Sequence, residues 1–209
     1  PPGAGKGTQG DALAKDLNQY KVSTGDLLRD EVKKKSTLGK KIKSMIDKGL
    51  LVPDNIINNL IEEVLSNKKY FNQLIFDGYP RNLKQTENLD DLLKKYNQKI
   101  LCVLSLKVDE NASIKRILGR RVCSNCGMIF NTYYKVASIS NHSCALKFMQ
   151  KRSDDNEKTI RNRFITYSKE TLPVLNHYRG QNLLYEIDGM NKIHNIYKEI
   201  REIIRSLAT

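Results

Sequence analysis

The chain opens on Pro1-Pro2-Gly3-Ala4-Gly5-Lys6-Gly7-Thr8, the stretch that most restricts what it can fold into. Three glycines alternate around one lysine. An interior glycine costs a helix about 1 kcal/mol, so an ordinary helix or turn has no use for this spacing. In a loop entering a helix, small residues let successive backbone N–H groups point at one anion, and the helix adds its positive end. The octapeptide matches the latter part of the phosphate cradle G-x-x-x-x-G-K-[ST], with Gly7 standing between Lys6 and Thr8. It predicts that Gly3, Ala4, Gly5, Lys6, Gly7 and Thr8 hold nucleotide phosphates, with Lys6 bridging the terminal ones and Thr8 meeting a phosphate or Mg²⁺. The leading glycine and the strand before it are expected to be cut away. The sheet is then expected to lack its first strand, which is its central member, and the chain as written to fold poorly and turn over little.

A chain of 209 residues is long enough for one α/β domain with insertions. Its longest apolar stretch, 100–106, includes Ser105 and is far too short to span a bilayer, and no signal peptide is visible, so no membrane partner is expected. Lys and Arg number 36 against 23 Asp and Glu, and the net charge of +13 calls for an anionic partner, a nucleotide or a nucleic acid. Much of the excess lies in runs such as Lys33-Lys34-Lys35 and Lys40-Lys41, which on helices form solvated faces. Cys123-Ser124-Asn125-Cys126 has the spacing of half a zinc knuckle, in keeping with a reducing, intracellular setting. Cys102, in an apolar run, reads as a buried small hydrophobe.

The apolar runs Leu74-Ile75-Phe76, 101–106 and Leu183-Leu184-Tyr185 alternate with helical periodicity, the mark of a parallel sheet covered on both faces. Pro53-Asp54 starts a helix carrying Ile56, Ile57, Leu60, Ile61, Val64 and Leu65 at helical spacing. Ser23-Thr24-Gly25-Asp26 reads as a capping box opening a helix toward Lys34. The final helix is expected over Asn191 to Leu207, with Ile193, Ile196, Tyr197, Ile200, Ile203 and Ile204 toward the core. Two segments break the alternation: 23–52, helical with no strand between, and 121–153, polar and cysteine-bearing. Both read as insertions.

Five motifs in order make the chain resemble the adenylate kinases of the nucleoside monophosphate kinase family, in their long-lid form. After the phosphate loop come Ser23-Thr24-Gly25-Asp26-Leu27-Leu28-Arg29, then Phe76-Asp77-Gly78-Tyr79-Pro80-Arg81 with Gln85. Arg116-Ile117-Leu118-Gly119-Arg120-Arg121 follows, and then Arg152-Ser153-Asp154-Asp155-Asn156 with Arg161 and Arg163. The resemblance implies a P-loop NTPase-type three-layer α/β/α core around a parallel five-stranded sheet, formed by residues 1–22, 53–120 and 154–209. It also implies a monophosphate-binding insertion over 23–52, a lid over 121–153, and a monomer in the cytoplasm or the mitochondrion.

The activity implied is reversible transfer of the terminal phosphoryl group from ATP with Mg²⁺ to AMP, giving two ADP. The run Asn191-Lys192-Ile193 resembles that of GTP-using AMP kinases and keeps GTP:AMP phosphotransfer as the alternative. Such a transfer brings many negative charges together, and the planar fork of arginine suits phosphate oxygens. By resemblance Arg29 and Arg81 hold the acceptor phosphate, while Arg120, Arg152 and Arg163 close on the donor phosphates and the moving group. Lys6 and Asp77 complete the catalytic set, Asp77 orienting water ligands of Mg²⁺ opposite Thr8. Arg116 stacks on the donor base, which backbone near Asn191 also reads. Thr24, Gln85 and the turn Gly49-Leu50-Leu51-Val52 read the AMP base, with Gly78 beside Arg81 and with Arg152 and Arg163 reaching the substrate as well. Asp154-Asp155 is expected to combine a helix start with salt bridges to lid arginines.

Zinc-bearing members of the family close the lid with a second cysteine pair about sixteen residues on. Here Cys144 falls near that distance, Lys147 stands where its partner would be, and His142 precedes Cys144 by two. Cys123, Cys126, His142 and Cys144 are therefore the expected structural zinc set, although the family also has metal-free lids and His142 can be read as a solvated loop residue. The rival reading is a zinc-ribbon nucleic-acid binder in which Phe130, Tyr133 and Tyr134 stack bases. It leaves the phosphate loop, the strand end at Asp77 and the ordered arginines unexplained, so nucleic acid is not the expected partner. A catalytically silent relative would be expected to have lost the lysine or the arginines, and all are present.

Overall fold

A computed structural model describes residues 1–207 of the chain. The phosphate loop leads into α1 (Lys6–Asp16), β1 (Tyr20–Ser23), α2 (Thr24–Lys33), α3 (Thr37–Lys48) and α4 (Asp54–Ser66). Next come β2 (Leu74–Asp77), α5 (Leu83–Lys95), β3 (Val103–Lys107) and α6 (Glu110–Leu118). Three short strands follow, β4 (Arg120–Cys123), β5 (Ile129–Asn131) and β6 (Met149–Gln150), then α7 (Glu157–Thr166). A π-helical turn (Tyr167–Thr171) joins α7 to α8 (Leu172–Gly180), and β7 (Leu184–Asp188) and α9 (Ile193–Leu207) complete the described chain.

Alternation along the strands divides the apolar side chains between two layers. On β2, Leu74 and Phe76 pack into one cluster and Ile75 into the other, as the two-residue period of a strand requires. The first cluster holds Val22, Ile57, Ile61 and Leu65 with Leu89, Leu92 and Leu93 of α5. The second sets Leu13 of α1 and Ile196 and Ile200 of α9 against Leu106 and Ile187. Helices thus cover both faces of parallel strands, the three-layer arrangement expected of this pattern. On α9 the expected core stripe shortens at its start, because Ile193 is the first helical residue and is exposed.

The five-stranded sheet, expected without its first and central strand, is represented among the described residues by two separate parallel pairs. β1 pairs parallel with β2, Tyr20 against Leu74 and Ser23 against Asp77. β3 pairs parallel with β7, Val103 against Leu184 and Lys107 against Asp188. The two pairs share no ladder, and residues 74–76 of one and 101–106 of the other line the same cavity. Parallel strands must lie within about 5 Å to bond, and β2 and β3 do not.

The two segments read as insertions carry structure of their own. In 23–52, Ser23 Oγ accepts from the Asp26 N–H and Ser36 Oγ from the Gly39 N–H, so both helices start on side-chain caps and pack around the fully buried Ile42. α3 ends at Gly49, whose φ of 73° is the left-handed cap that favours glycine. In 121–153, β4 pairs antiparallel with β5 and β6, Arg121 against Phe130 and Cys123 against Met149. The helix after this sheet is capped by Asn156, which accepts from Thr159 N–H, rather than by the Asp pair expected to start it.

Candidate active site

The phosphate loop takes the shape its glycines allow. Gly3 and Gly5 have φ of 72° and 94°, and a Cβ on Gly3 would stand 2.7 Å from the Ser113 carbonyl oxygen. α1 begins directly at Lys6, so the free N–H groups of its first turn face a cavity of about 1500 Å³. Lys6 is exposed to that cavity and donates to Pro1 O at 2.7 Å. Loss of solvation pulls its ammonium down, Asp77 resists, and Arg81, Arg120 and Arg163 repel it, leaving it at about 8. Asp77 ends β2, with its Oδ2 3.5 Å from where a Cβ on Gly7 would stand. A carboxylate this close to the loop suits the hard oxygen ligands that Mg²⁺ takes along with its waters.

The arginines converge on the same cavity from different elements. Arg29 comes from α2, Arg81 from the turn after β2, Arg116 from α6, Arg120 from β4, Arg152 from the segment after β6 and Arg163 from α7, and all six line it. Three carboxylates, Asp26, Asp154 and Asp155, pair with four of them. Arg120 makes a two-pronged contact to the fully buried Asp155, Nε to Oδ2 at 2.8 Å, and Arg163 bonds Asp154. Burial opposes ionisation of Asp154, but Arg163 and then Arg120 and Arg29 hold its carboxyl below the usual range. Arg29 bonds Asp26, and Arg152 lies 3.9 Å from the same oxygen. Burial, followed by repulsion from Arg120 and Arg29, pulls Arg152 down to about 10. Arg81 meets no carboxylate; its Nε donates to Gly78 O at 2.7 Å.

The expected base readers occupy the cavity with their polar atoms partly committed. Thr24 is buried and gives its hydroxyl to Gly78 O at 2.8 Å, so it fixes the Gly78 turn rather than offering a donor. Gln85, also buried, accepts from Arg81 N–H at 2.8 Å and donates to Asp54 Oδ1 at 2.7 Å, which leaves one N–H and one lone pair for a ligand. Leu50 is exposed and Val52 buried, and both line the cavity. Asn191 is exposed at the same rim.

Sequence reasoning missed the share that residues 129–134 have in this wall. Ile129, Asn131 and Tyr134 line the cavity beside Arg116. The Arg116 guanidinium sits 5.7 Å from the Tyr134 ring centroid and donates to Gly189 O at 2.9 Å, while Asn131 Nδ2 donates to Arg116 O at 2.7 Å. The Tyr133-Tyr134 pair is the available signal, but in sequence it reads only as a base stacker in the rival account. That account also loses Phe130, which is buried and meets the His142 ring edge-on at 4.9 Å.

Cys123, Cys126, His142 and Cys144 gather at the lid's base, their ligand atoms all within 4.8 Å of one another. The turn Cys123–Met128 closes through Cys123 N–H to Met128 O and Gly127 N–H to Cys123 O, with Gly127 at φ 76°. His142 is buried rather than solvated, and its Nε2 lies 3.3 Å from Cys126 Sγ. Burial opposes ionisation of Cys123, yet hydrogen bonds from the Cys126 and Asn125 backbone and from the neighbouring thiols bring it down to about 7. Tetrahedral zinc, with bonds of about 2.0 to 2.3 Å, spaces its ligands roughly 3.5 to 3.8 Å apart, so this donor set fits it. Cys102 is half-buried at a distance along β3's approach and is not among the four.

Lys6 should leave a pH signature. Its ammonium form favours phosphate, so affinity for a nucleoside triphosphate, measured by titration calorimetry, should fall as pH rises through about 8. An affinity flat from pH 7 to 9 would contradict this assignment.

Comparison with known proteins agrees with the geometry. A family model described as adenylate kinase matches residues 1–183. A protein named adenylate kinase from Pelagibacter ubique is 43% identical over 205 residues, covering 98% of this chain and 96% of the relative. One of the same name from Archaeoglobus fulgidus is 40% identical over 211 residues, covering 100% and 97%. Another, from Methanocella arvoryzae, is 41% identical over 210 residues with the same coverage. A phosphate loop facing a ring of arginines, and near-complete alignment with these relatives, place this chain in the adenylate kinase family.

Proposed function

We propose that the chain catalyses reversible phosphoryl transfer from ATP to AMP, giving two ADP. The observation that carries this reading is the convergence of Lys6 and six arginines on one cavity, answered among the described residues by the carboxylates Asp26, Asp77, Asp154 and Asp155. A polyanion is the ligand that relieves such a site, and two nucleotides supply more phosphate charge than one.

The roles follow from position. Arg29 and Arg81 hold the AMP phosphate, with Thr24 and Gly78 shaping their turn and Gln85, Leu50 and Val52 facing the base. Gly3, Ala4, Gly5, Lys6, Gly7 and Thr8 cradle the donor phosphates, and Arg116 and Asn191 meet the donor base. Arg120, Arg152 and Arg163 surround the group in transfer. An AMP phosphate oxygen bonds to the terminal phosphorus as the bond to the bridging oxygen of ATP breaks, and no enzyme group forms a covalent bond. Mg²⁺, held through Asp77 and Thr8, supplies charge neutralisation at the donor phosphates. The protein's own work is to align the two reactants, a contribution of about 7 to 11 kcal/mol in favourable cases, and to exclude water.

Residues 1–22, 53–120 and 154–209 form the core in this reading, 23–52 the acceptor insertion and 121–153 the lid. Zinc on Cys123, Cys126, His142 and Cys144 ties the lid's turns together. Metal analysis of protein purified under reducing conditions should then give about one zinc per chain, and none after Cys123→Ser. Wild type without zinc would refute the site. ADP formation by the full-length protein, measured with AMP and a panel of triphosphates, should be fastest with ATP. No turnover with any donor would sink the function, and GTP far ahead of ATP would reassign the donor.

A further inference from the structure

The C-terminus of α3 carries the turn that faces the proposed acceptor pocket, and its last carbonyls need donors. Two are met within the cap: Gly49 N–H bonds Ile46 O at 3.0 Å and Leu50 N–H bonds Met45 O at 3.1 Å. The next three are met by α7. Thr159 Oγ1 donates to Asp47 O at 2.6 Å, Asn162 Nδ2 to Lys48 O at 3.2 Å, and Thr166 Oγ1, more distantly, to Gly49 O at 3.5 Å. Positions 159, 162, 163 and 166 share one face of a helix. The remaining member of that face is Arg163, whose guanidinium reaches the cavity and bonds Asp154.

The contact at Gly49 leaves no slack. A Cβ there would stand 2.7 Å from Thr159 O, 3.2 Å from Arg163 Cγ and 3.3 Å from Asn162 Cβ. The acceptor turn therefore rests directly on the stem of Arg163, and Thr159, itself buried, pins it there. We infer that Thr159, assisted by Asn162, is a positioning residue that sets the distance between the AMP-facing turn Gly49–Val52 and the phosphate-facing Arg163. The same face of α7 thereby fixes where the acceptor lies relative to the moving phosphoryl group. The inference rests on the proposed AMP kinase function. It adds a specific division of labour, because the donor phosphates lie on the loop at Gly3–Thr8, which Thr159 does not touch.

Thr159→Val keeps the side chain's shape and removes its donor. In the full-length protein it should raise KM for AMP, and weaken AMP binding measured by calorimetry, by about tenfold, the effect of one well-placed hydrogen bond. KM for ATP should stay within about twofold. Thr159→Ser, which retains the hydroxyl, should restore AMP affinity, and Asn162→Ala should reproduce the AMP effect in milder form should Thr159→Val fail to fold. Unchanged AMP affinity in folded Thr159→Val, or equal losses for AMP and ATP that Thr159→Ser does not reverse, would overturn the inference. Wild type that binds AMP without turnover would instead defeat the function, while the AMP affinities of the variants still decide the role of Thr159. Wild type that binds no AMP would overturn both.

Discussion

Like charges crowded around one cavity are the constraint on which the rest of the structure depends. Lys6 and six arginines line the same space, and burial first, then their mutual repulsion, pulls Lys6 to about 8 and Arg152 to about 10. Without counter-charge such a cluster would push its elements apart. Asp26, Asp154 and Asp155 hold three of the arginines in place, and the two-pronged pair of Arg120 with the buried Asp155 is the most rigid of these contacts. Removing one partner of a pair buried this deeply costs about 3 to 5 kcal/mol, because the other charge is left behind. The carboxylates keep the cations poised, and phosphate groups complete the neutralisation.

The fold serves this arrangement by bringing the cations from separate parts of the chain. Two parallel strand pairs with helices on both faces place the phosphate loop and Asp77 at one edge of the cavity. The caps at Ser23 and Ser36 build the helical insertion that carries Arg29, and the three-stranded lid sheet carries Arg120 across from it. Helix α7 joins these regions, with Asp154 and Asp155 just before it, Arg163 on it, and its side chains capping α3. The order in which the motifs occur along the chain is thus less important than the single point toward which they aim.

Much of this was legible in the sequence wherever local chemistry has one use. Glycines mark the phosphate loop, Ser23 three residues before the Asp26 N–H marks a cap, and Ile57, Ile61 and Leu65 mark a buried helix face. Elements too short to show a period were not legible. β1 has a single buried residue, Val22, and the lid strands run to four, three and two residues, so neither offers an alternation to read. The commitment of Thr24 to Gly78 and the capping of α3 by α7 both join residues far apart in the chain. A threonine that caps another helix more than a hundred positions away looks, in sequence, like any surface threonine.

The central claim is that one cavity holds two nucleotides at once. Calorimetric titration of AMP into the full-length protein already saturated with Mg²⁺ and a non-hydrolysable ATP analogue tests it most directly. Simultaneous binding, one AMP per chain with undiminished affinity, is the result this account predicts. Displacement of the analogue by AMP would show that the two compete for a single site, and would contradict it.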